Sequence, residues 1–201
     1  MADMNTLIAE FPDNITEALE IASKAKISNP KHEIRNVLIC GMGGSGIGGR
    51  LVAKWVEDEL SVPVTFAQDY GIPGYVSKHT LLIGSSYSGN TEETLSSINQ
   101  ALEKGAQLIV ITSGGKLLEI CEKNNYDVIV VPGGNPPRSA LAYSLVQLLH
   151  IFAQLGMSSQ IRLTEMAKAR DLIVAEQDSI REIGREMANF VHGNVPIFYG
   201  T

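Results

Sequence analysis

The sequence has little cysteine, few aromatic residues, a deficit of positive charge and no long hydrophobic run. Its two cysteines among 201 residues, Cys40 and Cys121, sit in apolar segments. They are too few for a disulfide framework and read as reduced core thiols. The longest apolar stretches, residues 128–131 and 145–149, fall far short of the ~20 residues that a membrane-spanning helix requires. Met1-Ala2-Asp3-Met4-Asn5 has neither the basic start nor the apolar core of a secretory signal, so the expected location is cytoplasmic. Sixteen Lys and Arg against 22 Asp and Glu give a formal net charge of −6. With no dense basic stripe, general nucleic-acid binding is excluded. A small anion is not, because it responds to local amides and hydroxyls rather than to net charge. No His/Cys/Asp/Glu spacing suggests a metal, and no cofactor is expected.

What is present is alternation, in a chain that is 44% hydrophobic. Ile15, Leu19, Ala22 and Lys26 mark an opening amphipathic helix that Asp13 or Asn14 can cap. Five short apolar segments follow at residues 36–40, 62–66, 80–84, 108–111 and 127–131. Between them lie a helix carrying Ile47, Leu51, Val52, Trp55 and Val56, a second over 91–103 and a short one over 116–123. Apolar strands alternating with amphipathic helices predict an α/β fold, a five-stranded parallel doubly wound sandwich of flavodoxin-like or Rossmann-like type with flanking helices. Residues 1–28 read as an N-terminal helical segment and 29–157 as the α/β domain. Residues 158–201 read as a helical connector plus the first strand of a further domain.

Beyond Pro132 the pattern changes. Residues 140–152 are apolar nearly all round, as in a helix buried in a core or an interface. Residues 164–190 form a long polar helix or helix pair with Met166, Leu172, Ile173, Ile180, Ile183 and Met187 as the expected buried stripe. Val195-Pro196-Ile197-Phe198-Tyr199-Gly200-Thr201 resembles a strand and first turn glycine, so the chain is expected to stop where a second α/β domain would begin.

Gly41-Met42-Gly43-Gly44-Ser45-Gly46 follows the first strand and opens a helix. It satisfies G-x-G-x-x-G formally, and Asp69 after the second strand could serve as a ribose-binding acid. The physical content is broader: glycines permit a tight turn, and free amides at a helix start face an anion. The helix dipole contributes only ~0.3–1 kcal/mol, so further donors such as Ser45 are needed. Alone, this loop leaves nucleotide and sugar phosphate equally open.

Ser85-Ser86-Tyr87-Ser88-Gly89-Asn90-Thr91 decides between them. It follows the third strand, so it lies at the same sheet edge as the glycine loop. Ser86, Ser88 and Thr91 supply three hydroxyls in a short span. Asn90 and Glu93 have the spacing of a capping pair, so a capped helix with solvated hydroxyls is the bland alternative. Two donor-rich loops at one edge favour a phosphate cradle. Glu92 and Glu93 complement the helix dipole. Thr112-Ser113-Gly114-Gly115 follows the fourth strand and either closes the pocket or is a plain turn.

Residues 40–46 and 85–94 together resemble the SIS (sugar isomerase) domain. With Pro136-Pro137-Arg138-Ser139-Ala140 added, the set resembles the bifunctional phosphoglucose/phosphomannose isomerase family over most of the chain. The resemblance implies a cytoplasmic, carbohydrate-metabolic (glycolytic) isomerase that interconverts glucose 6-phosphate, and mannose 6-phosphate, with fructose 6-phosphate through an enediolate. It implies phosphate contacts from Gly44, Ser45, Ser86, Ser88 and Thr91, and enediolate stabilisation by Arg138, a role worth several kcal/mol for a fixed donor. It places the family's catalytic glutamate and ring-opening histidine in a second SIS domain. None of His32, His79, His150 or His192 lies in a matching motif; His150 reads as a core residue, and no general base is assigned. A stand-alone SIS module that binds a phosphosugar without catalysis is the second reading. A nucleotide-dependent oxidoreductase, resting on the glycine loop alone, is the third. The expected partners are a sugar 6-phosphate and a second copy in a homodimer, or a second SIS domain.

Overall fold

A computed structural model describes residues 3–197 and Tyr199. Two helices open the chain, α1 (Met4–Ala9) and α2 (Phe11–Lys24). Alternation follows through β1 (Asn36–Cys40), α3 (Gly43–Trp55), β2 (Val64–Ala67), β3 (Thr80–Ser85), α4 (Glu92–Glu103), β4 (Gln107–Thr112), α5 (Gly115–Asn124) and β5 (Asp127–Val130). A 3-10 turn at Pro137–Ser139 leads into α6 (Leu141–Gln154), α7 (Ile161–Ala175) and α8 (Gln177–Val191). The five strands are all parallel, in the order β2-β1-β3-β4-β5. This is the doubly wound sheet that the sequence predicts.

The period of two along each strand divides the core between the two faces. Val37, Ile39, Leu81, Ile83, Ile109 and Ile111 pack with α2, α3 and α6. Leu38, Cys40, Leu82 and Val110 pack with Ile98 of α4 and with Leu117 and Cys121 of α5. Because strands β1 and β3 are covered on both sides, nearly every residue in them is buried, which explains their unbroken apolar runs. Helix α6 is buried all round as its composition requires: Leu148, Leu149, Ile151 and Phe152 have no exposed area. Each such side chain contributes ~1.5–3 kcal/mol relative to exposure.

Three residues of α6 make polar contacts with α2 and its C-cap Ala25 inside this core. Tyr143 Oη donates to Glu17 Oε2 at 2.5 Å and lies 3.2 Å from the Asn14 side-chain amide. Gln147 donates to the Ala18 carbonyl, and His150 Nε2 lies 3.3 Å from the Ala25 carbonyl. Burial, then the bond to Glu17, holds the Tyr143 phenol well above its ordinary range.

Several local expectations are corrected. The opening helix is not capped by Asp13 or Asn14, because α2 begins at Phe11 with Pro12 in its first turn and Asn14 faces Tyr143 instead. The second strand starts at Val64 rather than 62, after Pro63, which has no N–H to give to a ladder. Of the two forms expected for the C-terminal segment, the helix pair is present, with α7 and α8 meeting at Glu176. Of its expected buried stripe, Met166 is buried and Ile173 packs at the core margin, whereas Leu172, Ile180, Ile183 and Met187 are exposed. The periodicity identifies an amphipathic face, but among the described residues no side chain of α8 is buried. Val195–Ile197 of the expected terminal strand form no strand and pair with no sheet; Phe198, Gly200 and Thr201 lie outside the described residues.

Candidate functional site

In a sheet of this order the chain leaves β1 towards one side and β3 towards the other. The crevice between their carboxyl ends is the switch point at which such folds bind ligands. The glycine loop follows β1 and the hydroxyl loop follows β3, so the fold brings the two predicted phosphate-binding segments together there. Their approach is close: a Cβ on Gly41 would sit 2.7 Å from the Ser85 carbonyl oxygen. Only glycine fits, and the sequence places one there.

Both helices that start at this crevice lack a side-chain cap. Met42 caps α3 and Thr91 caps α4 by backbone geometry alone, with no cap hydrogen bond from either side chain. In α3 the Ser45 N–H donates to the Met42 carbonyl at 3.1 Å; the remaining first-turn amides of the two helices have no intrahelical acceptor and are available to an anion. Between the loops lies a small cavity lined by Gly44, Ser45, Ser85, Tyr87, Pro137 and Tyr143, among others.

The hydroxyls are arranged as follows. Ser86 is buried, and its Oγ lies 2.9 Å from Thr91 Oγ1. Ser88 is exposed, and its Oγ accepts the Asn90 N–H at 3.3 Å. Ser45 is half-buried in the first turn of α3 and lines the cavity. Gly89 takes φ +68 with its backbone packed against Gly114, a conformation in which a side chain is strained. Arg138 sits in the 3-10 turn, exposed. The preceding carbonyl, of Pro137, would be 3.2 Å from a Cβ on Gly44, so this turn abuts the glycine loop. Arg138 has no ion-pair or hydrogen-bond partner among the described residues, and no cluster of metal-ligating side chains occurs among them.

The expected Asn90–Glu93 capping pair is not formed. Asn90 instead donates to the Ser88 carbonyl at 3.2 Å and accepts the Lys116 N–H at 3.1 Å, pinning the hydroxyl loop to the start of α5. Ser113 adds a second pin, its N–H and Oγ both donating to the Tyr87 carbonyl, at 3.0 and 2.6 Å. The Leu117 N–H donates to the Gly89 carbonyl at 3.1 Å. Residues 112–117 thus brace the hydroxyl loop, where the sequence leaves closure of the pocket and a plain turn as alternatives. The paired signal was a glycine in each loop, Gly89 opposite Gly114 and Gly115. Tyr87 was also passed over, because its phenol meets the chain 48 residues away, at the Asn135 N–H.

The histidines are elsewhere. His79 Nδ1 contacts the Glu33 carbonyl, and the backbone of His32 meets Gln107 at the start of β4, both at the amino ends of the strands. His150 is buried in α6, and His192 follows α8. Asp69 Oδ1 accepts its neighbour's N–H, from Tyr70. Beside it, Glu93 and then burial and Glu92 raise the Tyr70 phenol, so this flank of the crevice is acidic.

Fold and site define an α/β protein of the doubly wound class with two donor-rich loops at its switch point. Residues 32–155 match the SIS domain, and the chain belongs to the SIS domain family. Relatives named bifunctional phosphoglucose/phosphomannose isomerase match it over most of its length. That of Caldicellulosiruptor bescii is 39% identical over 199 residues, covering 96% of this chain and 59% of the relative. The D-glucosamine-6-phosphate 4-epimerase of Sulfolobus acidocaldarius is 35% identical over 165 residues, covering 80% of this chain and 50% of the relative. The chain thus spans little more than half the length of these relatives. Among solved structures, the C-terminal domain of glucosamine-fructose-6-phosphate aminotransferase from Francisella tularensis superposes with a TM-score of 0.72. It is 16% identical and covers 94% of this chain and 59% of that one.

Proposed function

We propose that this chain supplies the phosphate cradle and an arginine to a sugar-phosphate isomerase that interconverts glucose 6-phosphate, and mannose 6-phosphate, with fructose 6-phosphate. The observation that carries this reading is the convergence of two uncapped helix starts, with Ser45, Ser86, Ser88 and Thr91, on one switch-point crevice. Gly44 and its neighbours offer amides to the phosphate; the hydroxyls rotate to donate to its remaining oxygens. We read Arg138, which has no ion-pair or hydrogen-bond partner among the described residues, as the group that meets the negative charge developing when a proton leaves C2 and the enediolate forms. Return of that proton to C1 gives the isomer, so the step needs no external oxidant. The base and the ring-opening acid are assigned to a second SIS domain. The 39% identity to a phosphoglucose/phosphomannose isomerase supports the choice of reaction. The location is read as cytoplasmic.

The test is calorimetric titration with fructose 6-phosphate and with inorganic phosphate, on the wild type and on Ser88→Ala. Saturable binding of both ligands that weakens in the variant is expected; a folded chain that binds neither overturns the cradle.

A second reading, a module that binds a phosphosugar without turnover, is favoured by one observation. No histidine among the described residues lies at the crevice. Binding without isomerisation in a coupled assay, by the longest chain that carries this domain, would select it. The exposed Ile180, Ile183, Met187 and Phe190 of α8 are read as a packing face for a second copy or a second SIS domain.

A further inference from the structure

We propose that Tyr87 is a positioning residue, whose phenol oxygen holds the segment carrying Arg138 against the phosphate cradle. The inference rests on the functional reading above and adds a residue to it.

Residues 132–136 have few backbone donors with which to hold themselves in place, whereas the turn that follows packs against the glycine loop through Pro137 and Gly44. Pro132, Pro136 and Pro137 have no N–H to donate, and Gly133 and Gly134 have the fewest conformational restraints of any residue; Gly134 sits at φ +93. The turn that follows is closed internally, with Ser139 N–H and Oγ both donating to the Pro136 carbonyl at 2.9 and 2.8 Å. Among the described residues, one hydrogen bond joins residues 132–138 to another element. It is the Asn135 N–H donating to Tyr87 Oη at 3.3 Å.

Tyr87 is itself fixed from behind. Its carbonyl takes two hydrogen bonds from Ser113, and its half-buried ring lines the cavity with Gly44, Pro137 and Tyr143. The flanking residues Ser86 and Ser88 are cradle hydroxyls. One residue therefore belongs to the hydroxyl loop by its backbone and to the Arg138 segment by its phenol, and it sets the distance between phosphate and guanidinium. That distance matters because a positioned charge acts on the transition state only where it is already in place.

Tyr87→Phe keeps the ring and removes the acceptor. Two measurements on it decide the matter. Hydrogen exchange at the Asn135 amide should accelerate roughly three- to tenfold, the worth of one ordinary hydrogen bond. In calorimetry, inorganic phosphate should bind as in the wild type, within about twofold. 5-Phosphoarabinonohydroxamate, whose hydroxamate mimics the enediolate, should weaken roughly three- to tenfold. That loss should vanish in a background of Arg138→Ala, as coupled residues require. An unchanged Asn135 exchange rate overturns the proposal, and so does equal weakening of the two ligands, which would make Tyr87 part of the cradle alone. A wild-type chain that binds neither ligand removes the functional reading, and this inference falls with it.

Discussion

Ser86 Oγ and Thr91 Oγ1 stand 2.9 Å apart across the hydroxyl loop, one hydroxyl donating to the other. Both are side-chain donors that can turn towards an entering anion at no cost in backbone rearrangement, since a hydroxyl rotates about one bond. Ser86 is the buried member, so under the proposed function a bond from it to a phosphate oxygen would be shielded from water. Ser86→Ala is expected to raise the dissociation constant for fructose 6-phosphate by about tenfold to a hundredfold, the range for a hydrogen bond to a charged group. A change below about twofold by calorimetry would leave the serine with a purely structural part.

Gly89 and Gly43 both lie at positive φ, +68 and +52, yet they should respond differently to alanine. A Cβ on Gly89 would run into the Gly114 backbone, whereas one on Gly43 meets nothing within 4 Å. Gly43→Ala should cost about 1 kcal/mol, the conformational penalty alone. Gly89→Ala must in addition part the hydroxyl loop from residues 112–115, and is expected to cost about 2–4 kcal/mol and to abolish phosphate binding. Urea denaturation checks the order of the two; equal costs would mean that the loops are not braced against each other.

These residues also show how far the sequence could be read. The strands were legible because β1, β3 and β4 are buried on both faces and so are apolar without interruption. The meeting of the glycine and hydroxyl loops at one sheet edge was legible because each directly follows a strand of a parallel sheet. What failed depends on distant partners. Asn90 has the spacing of a capping residue, but the Lys116 amide competes for its side chain. Tyr87 and Asn135 are 48 positions apart, and nothing local in either points to the other. Ile180, Ile183 and Met187 follow a helical period faithfully, and the period is silent on whether anything lies opposite.

His150 makes the stability of this domain depend on pH, in a direction fixed by its surroundings. The imidazole lies within α6 at 4% exposure, and burial lowers its proton affinity, only partly offset by the Ala25 carbonyl, which favours the charged form. In the unfolded chain the same group titrates near its ordinary value of about 6.5. Below that value the unfolded state binds a proton that the folded state refuses, so stability rises with pH there. The contribution is fully present above about pH 6.5 and is lost as pH falls from there towards the lowered folded value. The slope is bounded by one proton, at about 1.4 kcal/mol per pH unit. Urea midpoints should therefore be flat between about pH 8 and 7 and decline between about pH 6.5 and 5, before most carboxylates titrate. His150→Gln keeps a donor for the Ala25 carbonyl and removes the titration, so its midpoint should stay level through the same window. A decline of equal steepness in the variant would assign the pH dependence to other groups, and would show that the imidazole is hydrated despite its place in the helix.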